Sequence, residues 1–399
     1  MINRPDYIAA IEPFIDKPLV KILAGIRRCG KSTIFEMLRE ELLRRGIGED
    51  QIVCKRYTEM DIPENITAKQ MYDELTAAMA GKGHCYLLLD EIQEITGWEK
   101  AVNSLLESAD ADIYVTGSNS KLMSSEISTY LTGRYVSIPV YTLSFKEYLD
   151  FKADSTLSRR ELLEEYIRFG GFPIIALSEY DEQSAYQIVN GIYHTVVSRD
   201  IVKRHRINKQ DLFDRVVKYI IENMGKTFSA NSISTFLKSE HRKVSVESIY
   251  NYLRWLEQAF IIYPCERYDL QGKSILKTQE KYYLADVSLK YALLGYNRKM
   301  LDGAMENIVY LELKRRGYDV YIGKNDTKEI DFVATRRDER IYVQVCVRIP
   351  EASDREVGNL MEIRDHYPKY VVTLNEMDIG IENGIRIVHL ADFLIAEAW

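Results

Sequence analysis

Apolar runs of strand length recur through the first part of the chain, separated by stretches whose apolar positions fall at helical spacing. Leu19-Val20-Lys21-Ile22-Leu23-Ala24 reads as a strand, and a helix follows to about residue 45. A strand at 51–56 and a helix at 68–79 come next, then Cys85-Tyr86-Leu87-Leu88-Leu89 and Asp112-Ile113-Tyr114-Val115-Thr116 as further strands. Strands that are apolar throughout are buried on both faces, so the pattern predicts a parallel sheet covered by helices. Ligands of such sheets bind at the carboxyl ends of the strands. Asp90, Glu91, Ser118 and Asn119 all fall at such ends.

The turn after the first strand carries the chemistry. Gly25-Ile26-Arg27-Arg28-Cys29-Gly30-Lys31-Ser32 fits the phosphate-binding pattern G-x-x-x-x-G-K-[ST], with a strand before it and a helix beginning at Ser32-Thr33. Glycines at 25 and 30 let the backbone approach closely and aim successive N–H groups at phosphate oxygens, and the helix N-terminus adds its positive end. Residues Gly25, Arg27, Arg28, Cys29, Gly30, Lys31, Ser32 and Thr33 are therefore the candidate cradle. Lys31 is suited to the β- and γ-phosphates, and Ser32 with Asp90 to Mg²⁺, held by Asp90 directly or through a water. Glu91, beside it, is the candidate for polarising the attacking water, and either Asn119 or Ser118 for sensing the γ-phosphate. ATP and Mg²⁺ are the expected cofactors. Arg27 and Arg28 either dock the loop against a carboxylate or touch phosphate.

Past residue 140 the period becomes helical. Helices are predicted at 144–152, 159–169 and 181–197, with Gly170-Gly171-Phe172-Pro173 as a stiff break, a pattern suited to a helical lid. Residues 196–243 are locally basic, eleven Lys and Arg against five Asp and Glu. A short helix at 229–237, a basic turn, a helix at 246–257 capped by Ser245, and strands at 261–268 and 281–284 give the layout of a winged helix. The second helix of such a fold can enter the DNA major groove. Ser248, Asn251 and Arg254 share its outer face, with Arg242 and Lys243 near its start. A winged helix used only for protein packing gives the same pattern, and Glu247 in the first turn would repel phosphates.

Composition narrows the class without deciding it. The 399 residues allow roughly two to four domains. With 53 basic and 60 acidic side chains the net charge is −7, so any nucleic-acid surface is local. Five scattered cysteines without C-x-x-C spacing read as reduced thiols. No apolar run approaches membrane-spanning length and no signal-peptide core opens the chain, so a cytoplasmic protein with no membrane partner is expected.

Taken together, Gly25–Ser32, Leu87-Leu88-Leu89-Asp90-Glu91-Ile92-Gln93, Thr116-Gly117-Ser118-Asn119-Ser120 and Leu131-Thr132-Gly133-Arg134 resemble the prokaryotic AAA-type ATP-binding proteins. In that family the C-terminal half is a domain of unknown function (4143), here bearing a restriction-endonuclease-like core. Gly170-Gly171-Phe172-Pro173 and Tyr282-Tyr283-Leu284-Ala285-Asp286 extend the likeness over nearly the whole chain. The resemblance implies an α/β P-loop NTPase core of the additional-strand, catalytic-glutamate type, with sheet order 5-1-4-3-2. It also implies that Arg134 can reach a neighbour's site in trans, in a homo-oligomeric ring or dimer, where a guanidinium stabilises charge on the transferring phosphate. A surface ion pair is the alternative for Arg134.

The last hundred residues resemble a small α/β restriction-endonuclease-like core. Asp331 matches the strand Asp, Glu306 the helical Glu, and the E-x-K positions read Gln344-Val345-Cys346, which supply neither the second anion nor the cation. A degenerate site without nuclease activity is expected. The expected domains are 1–142 (ATPase core), 143–210 (helical lid), 211–300 (winged helix) and 301–399 (endonuclease-like). The expected function is ATP hydrolysis to ADP and phosphate by a DNA-associated motor, clamp or switch; the alternative is a nucleotide-dependent protein-interaction switch with no DNA substrate.

Overall fold

The computed structural model describes residues 2–58, 66–123, 131, 133–207, 209–242, 244–297, 300–350 and 355–399. Two compact units divide the chain, residues 1–140 with 258–260, and residues 141–257 with 261–399.

In the first unit β1 (Val20–Ala24), β2 (Ile52–Arg56), β3 (Cys85–Asp90), β4 (Ala111–Gly117) and β5 (Tyr135–Pro139) form one sheet. Its order is β2-β3-β4-β1-β5 and every neighbouring pair is parallel, so from the other edge it reads 5-1-4-3-2. Strands β1 and β3 are buried along their whole length, which is why they read as uninterrupted apolar runs. Besides Asp90 at the tip of β3, the charged residue in these strands is Lys21, whose ammonium is held inside by Asp112 on β4 and by the Lys17 carbonyl at 2.8 Å. Asp112 also accepts the Tyr114 hydroxyl at 2.6 Å and the Asp16 N–H at 2.9 Å, so this buried charge pair is fully hydrogen-bonded. The helix Lys31–Arg44 turns Ile34, Leu38 and Leu42 inward at a four-residue spacing. Helix Ala68–Met79 starts at a Thr67/Gln70 capping box.

In the second unit, helices Phe145–Phe151, Arg159–Phe169 and Glu182–Val196 appear where helical spacing places them, and Asp181 caps the third by accepting the Ser184 N–H at 2.7 Å. Helices Gln210–Glu222, Ala230–Ser239 and Val246–Gln258 follow, the last capped by Ser245, which accepts the Ser248 N–H at 3.0 Å. An eight-stranded sheet then runs β12-β13-β11-β10-β9-β8-β6-β7. Its strands are β6 (Ile262–Asp269), β7 (Ser274–Leu284), β8 (Asp319–Asn325), β9 (Lys328–Arg336), β10 (Glu339–Val345), β11 (Lys369–Thr373), β12 (Gly380–Glu382) and β13 (Ile385–His389).

The two strands expected as a wing pair antiparallel with each other, but β6 also pairs in parallel with β8. They are therefore members of the sheet that carries the C-terminal residues, and a boundary at residue 300 cuts through it. The reason is packing: Cys265 is fully buried in β6, and Pro264 offers its carbonyl to the Tyr310 hydroxyl at 3.1 Å, from the helix Leu301–Arg315.

The Gly170-Gly171-Phe172-Pro173 and Tyr282–Asp286 motifs meet within this unit. The buried Asp286 carboxylate accepts the Gly171 N–H at 2.8 Å, and the Ser288 N–H at 3.0 Å together with its hydroxyl. Gly170 has φ +74°, and a β-carbon there would lie 1.8 Å from Asp286 Oδ1. No other residue type fits that approach.

Candidate functional site

The loop between β1 and the helix Lys31–Arg44 closes tightly. A β-carbon on Gly25 would sit 1.9 Å from the Val140 carbonyl oxygen, and Gly30 adopts φ +100° as the residue before the helix. Cys29 is fully buried, and its carbonyl accepts the Arg4 guanidinium at 2.8 Å. Arg4 is itself buried and lies over the Tyr7 ring. This brace comes from the N-terminal segment and carried no motif. Lys31 Nζ donates to two carbonyls of its own loop, Gly25 at 2.9 Å and Ile26 at 3.1 Å. Arg28 is exposed and at φ +67°, whereas Arg27 turns toward the strand-end acids.

Those acids close the other side. Ser32 Oγ donates to Asp90 Oδ2 at 2.7 Å, across the gap between helix and β3. Asp90 also accepts the Thr116 hydroxyl from β4 and Arg56 Nε from the end of β2 at 3.1 Å. Glu91 follows at φ +55°, a left-handed conformation that costs a non-glycine residue about 1 kcal/mol, and its N–H is fixed by Thr116 Oγ1 at 3.0 Å. The strain turns the chain sharply, so that Asp90 and Glu91 point different ways. Glu91 Oε2 lies 3.6 Å from Arg27 Nη1 and accepts the Ser118 hydroxyl at 3.3 Å and Gln93 Nε2; Glu91 Oε1 lies 3.9 Å from Lys31 Nζ. Asn119 is buried next to Ser118. The residues fit a nucleotide with its metal: a glycine cradle, a lysine at its mouth, and a hydroxyl and a carboxylate meeting where Mg²⁺ would be held.

Arg134 is tied to the helix Trp98–Ser108 of its own chain, with Nη2 at 2.8 Å from Asn103 Oδ1 and 2.7 Å from Glu107 Oε1. Thr132 of the same motif lies outside the described residues.

A family model described as an AAA domain matches residues 17–149, and one described as a domain of unknown function (DUF8612) matches residues 160–299. An uncharacterized protein of Haemophilus influenzae is 36% identical over 99% of both chains. One from Methanocaldococcus jannaschii is 32% identical over 85% of this chain and 77% of its own. The chain belongs to this family of AAA-type P-loop proteins. Among solved structures, the Walker-type ATPase of Pyrococcus abyssi shares the fold at 15% identity, with a TM-score of 0.51 over 73% of this chain and 96% of its own. The second domain corrects the sequence expectation: the matching family of unknown function is 8612 rather than 4143, and it ends at residue 299. Local likeness at Gly170–Pro173 and Tyr282–Asp286 did not distinguish the two families.

In this AAA-type chain the C-terminal candidate residues also come together. Glu306, Asp331 and Gln344 line a cavity of about 380 Å³ with Cys346 and Glu356. Gln344 Oε1 accepts the Asp331 N–H at 3.2 Å, and Asp331 Oδ2 accepts the Val345 N–H at 2.8 Å. Sequence reasoning missed Lys281 on β7, which supplies a cation from outside the E-x-K positions. Its Nζ lies 2.9 Å from Glu329, 3.3 Å from Glu306 and 3.9 Å from Asp331. The signal in the sequence was a lysine at the start of the segment Lys281-Tyr282-Tyr283-Leu284, which is only the last part of β7. Burial, then the nearby Glu306, pushes the Asp331 carboxyl well above the usual carboxylate range, and burial also raises Glu306.

On the helix Val246–Gln258, Arg254 is exposed and donates to Asn251 at 2.6 Å, and Ser248 pairs with Ser245. Arg242 pairs with Asp211, and Arg215 with Glu240 at 2.9 Å. Lys243 lies outside the described residues. Among the described residues no helix is long and apolar enough to cross a membrane.

Proposed function

We propose that this chain binds ATP with Mg²⁺ in the Gly25–Ser32 loop and hydrolyses it, as a cytoplasmic, oligomeric, DNA-associated motor, clamp or switch. The observation that carries the ATPase reading is that the loop meets the strand-end acids in two pairs, Ser32 with Asp90 and Lys31 with Glu91. Ser32 and Asp90 would hold the metal, which neutralises charge on the phosphates during transfer. Lys31 leaves its loop carbonyls for the phosphates, Glu91 orients the water, and Ser118 and Asn119 face the terminal phosphate. The role in DNA binding rests on the exposed face of the helix Val246–Gln258, where Arg254 stands beside Tyr250, 59% exposed.

A second reading, a nucleotide-dependent switch acting on proteins, is favoured by one observation. Arg215 and Arg242 of the basic zone are already paired with carboxylates, which lowers the positive charge left for phosphates. Measuring ATP hydrolysis with and without duplex DNA at two salt concentrations separates the readings. DNA stimulation that falls steeply with salt supports the first, because phosphate contacts release counterions. Hydrolysis indifferent to DNA supports the second.

A further inference from the structure

A cavity of about 460 Å³ lies where the turn between β6 and β7 meets β10 and the segment after the helix Arg355–Met361. Its floor is apolar, because Leu270 and Ile363 pack onto the core cluster that contains Val371. Its walls carry three cations, Lys273, Arg340 and Arg364, and among the described residues none of them pairs with a carboxylate. The acids that share the cavity are already engaged. Glu362 pairs with Lys328, and Asp365 accepts Lys369 Nζ at 3.2 Å and the Tyr342 hydroxyl at 2.6 Å. The charge left over is positive. Arg340 is also fixed in place: its guanidinium lies 5.7 Å from the Tyr268 ring centroid and 5.4 Å from that of Tyr367. It donates to the Tyr342 hydroxyl at 3.4 Å, from a buried side chain two positions along β10 and so on the same strand face. Tyr367 itself is 41% exposed.

We infer that this cavity binds a single-stranded nucleic acid, one nucleotide deep. The phosphate lies against Lys273, Arg340 and Arg364, and the base stacks on Tyr367 above Leu270 and Ile363. The volume falls within the range of about 300–1,000 Å³ usual for small-ligand sites. Guanidinium groups match phosphate oxygens with paired N–H donors, and a fixed one loses little freedom in doing so. An aromatic ring accepts the face of any base, but only of a base free of its own neighbours, so the strand is single. An acidic peptide would meet the cations and leave the ring and the apolar floor uncovered. The inference goes beyond the ATP site and the helix Val246–Gln258, and stands without either.

The test is fluorescence anisotropy of the full chain without ATP, using labelled single-stranded DNA, RNA of the same sequence, and duplex DNA over a salt series. A single strand should bind more tightly than the duplex, and the tighter of DNA and RNA names the source. Arg364→Ala should weaken that binding and reduce its salt slope by about 0.7, the share of one phosphate contact on a single strand. Tyr367→Ala should weaken it about tenfold with the slope unchanged, and Tyr367→Phe should retain it, as stacking requires. Both side chains are exposed, so unfolding temperatures should match the wild type and separate lost binding from lost fold. Preference for the duplex, binding untouched by either alanine, or equal competition by a polyglutamate peptide overturns the inference. Duplex-dependent ATP hydrolysis should be the same in both variants as in the wild type, so failure here is distinct from failure of the proposed function.

Discussion

At the scale of single residues, Lys31 and Glu91 have separable tasks. Lys31 provides positive charge to the phosphates, so Lys31→Ala should weaken nucleotide binding and lower turnover at least ~100-fold, as loss of one preorganised charge does. Glu91→Gln should keep ATP bound but hydrolyse it about 100-fold more slowly, the usual cost of losing a proton acceptor. Single-turnover assays with binding measured in parallel check both. Lys290 offers a different test. Burial, with the Lys226 charge in second place, pushes its ammonium down to about 8 from an ordinary 10.5. Between those values the folded state binds fewer protons than the unfolded one, so this group's penalty is full below pH 8 and fades as pH rises toward 10.5. Lys290→Met should therefore stabilise most at neutral pH, and the gain should shrink on the alkaline side in denaturant titrations.

Among the elements, the Gly170-Gly171 turn and the end of β7 depend on one buried carboxylate. Removing Asp286 leaves the Gly171 and Ser288 donors without an acceptor, at about 1–3 kcal/mol for each buried donor. Asp286→Ala should lower the unfolding temperature by roughly 10 °C, and Asp286→Asn, which keeps one acceptor oxygen, by less. The elements also show how far pattern carries. Strands β1 and β3 and the caps Thr67, Ser144, Asp181 and Ser245 follow from local rules. The membership of β6 and β7 in the larger sheet does not, because hydrogen bonding to β8 links residues more than fifty positions apart.

At the scale of the whole molecule, assembly and the second cluster are open to test. The solvent-exposed Arg134–Glu107 pair is weak, because water screens both charges, and it is easily released toward a neighbouring subunit. If Arg134 acts in trans, inactive Arg134→Ala and Glu91→Gln proteins should regain part of their activity when mixed. No recovery among subunits shown to mix would leave Arg134 a structural ion pair. In the C-terminal cluster, Lys281 is committed to three carboxylates, and the raised Asp331 carboxyl is held toward its neutral form. Among the described residues no three His, Cys, Asp or Glu side chains are grouped to hold a metal ion. Incubation with duplex, single-stranded or branched DNA and Mg²⁺ or Mn²⁺ should give no cleavage. Cutting that disappears in Asp331→Ala would overturn this.

The sequence by itself determined the phosphate-binding loop, the parallel sheet and the strand-end acids Asp90 and Glu91. Each is specified by neighbours in the chain, through glycine dihedrals, lysine reach and apolar period. The tertiary structure decided which counter-ions those acids have. Arg56 and Thr116 reach Asp90 from two other strands, Arg4 braces the loop at the Cys29 carbonyl from the N-terminal segment, and Lys281 reaches Glu306 and Glu329 across strands and helix. Such pairings carry no local signature, since a side chain's partner is set by where the sheet and the helices bring it, and a charged residue in a strand looks alike whether it meets water or a buried carboxylate.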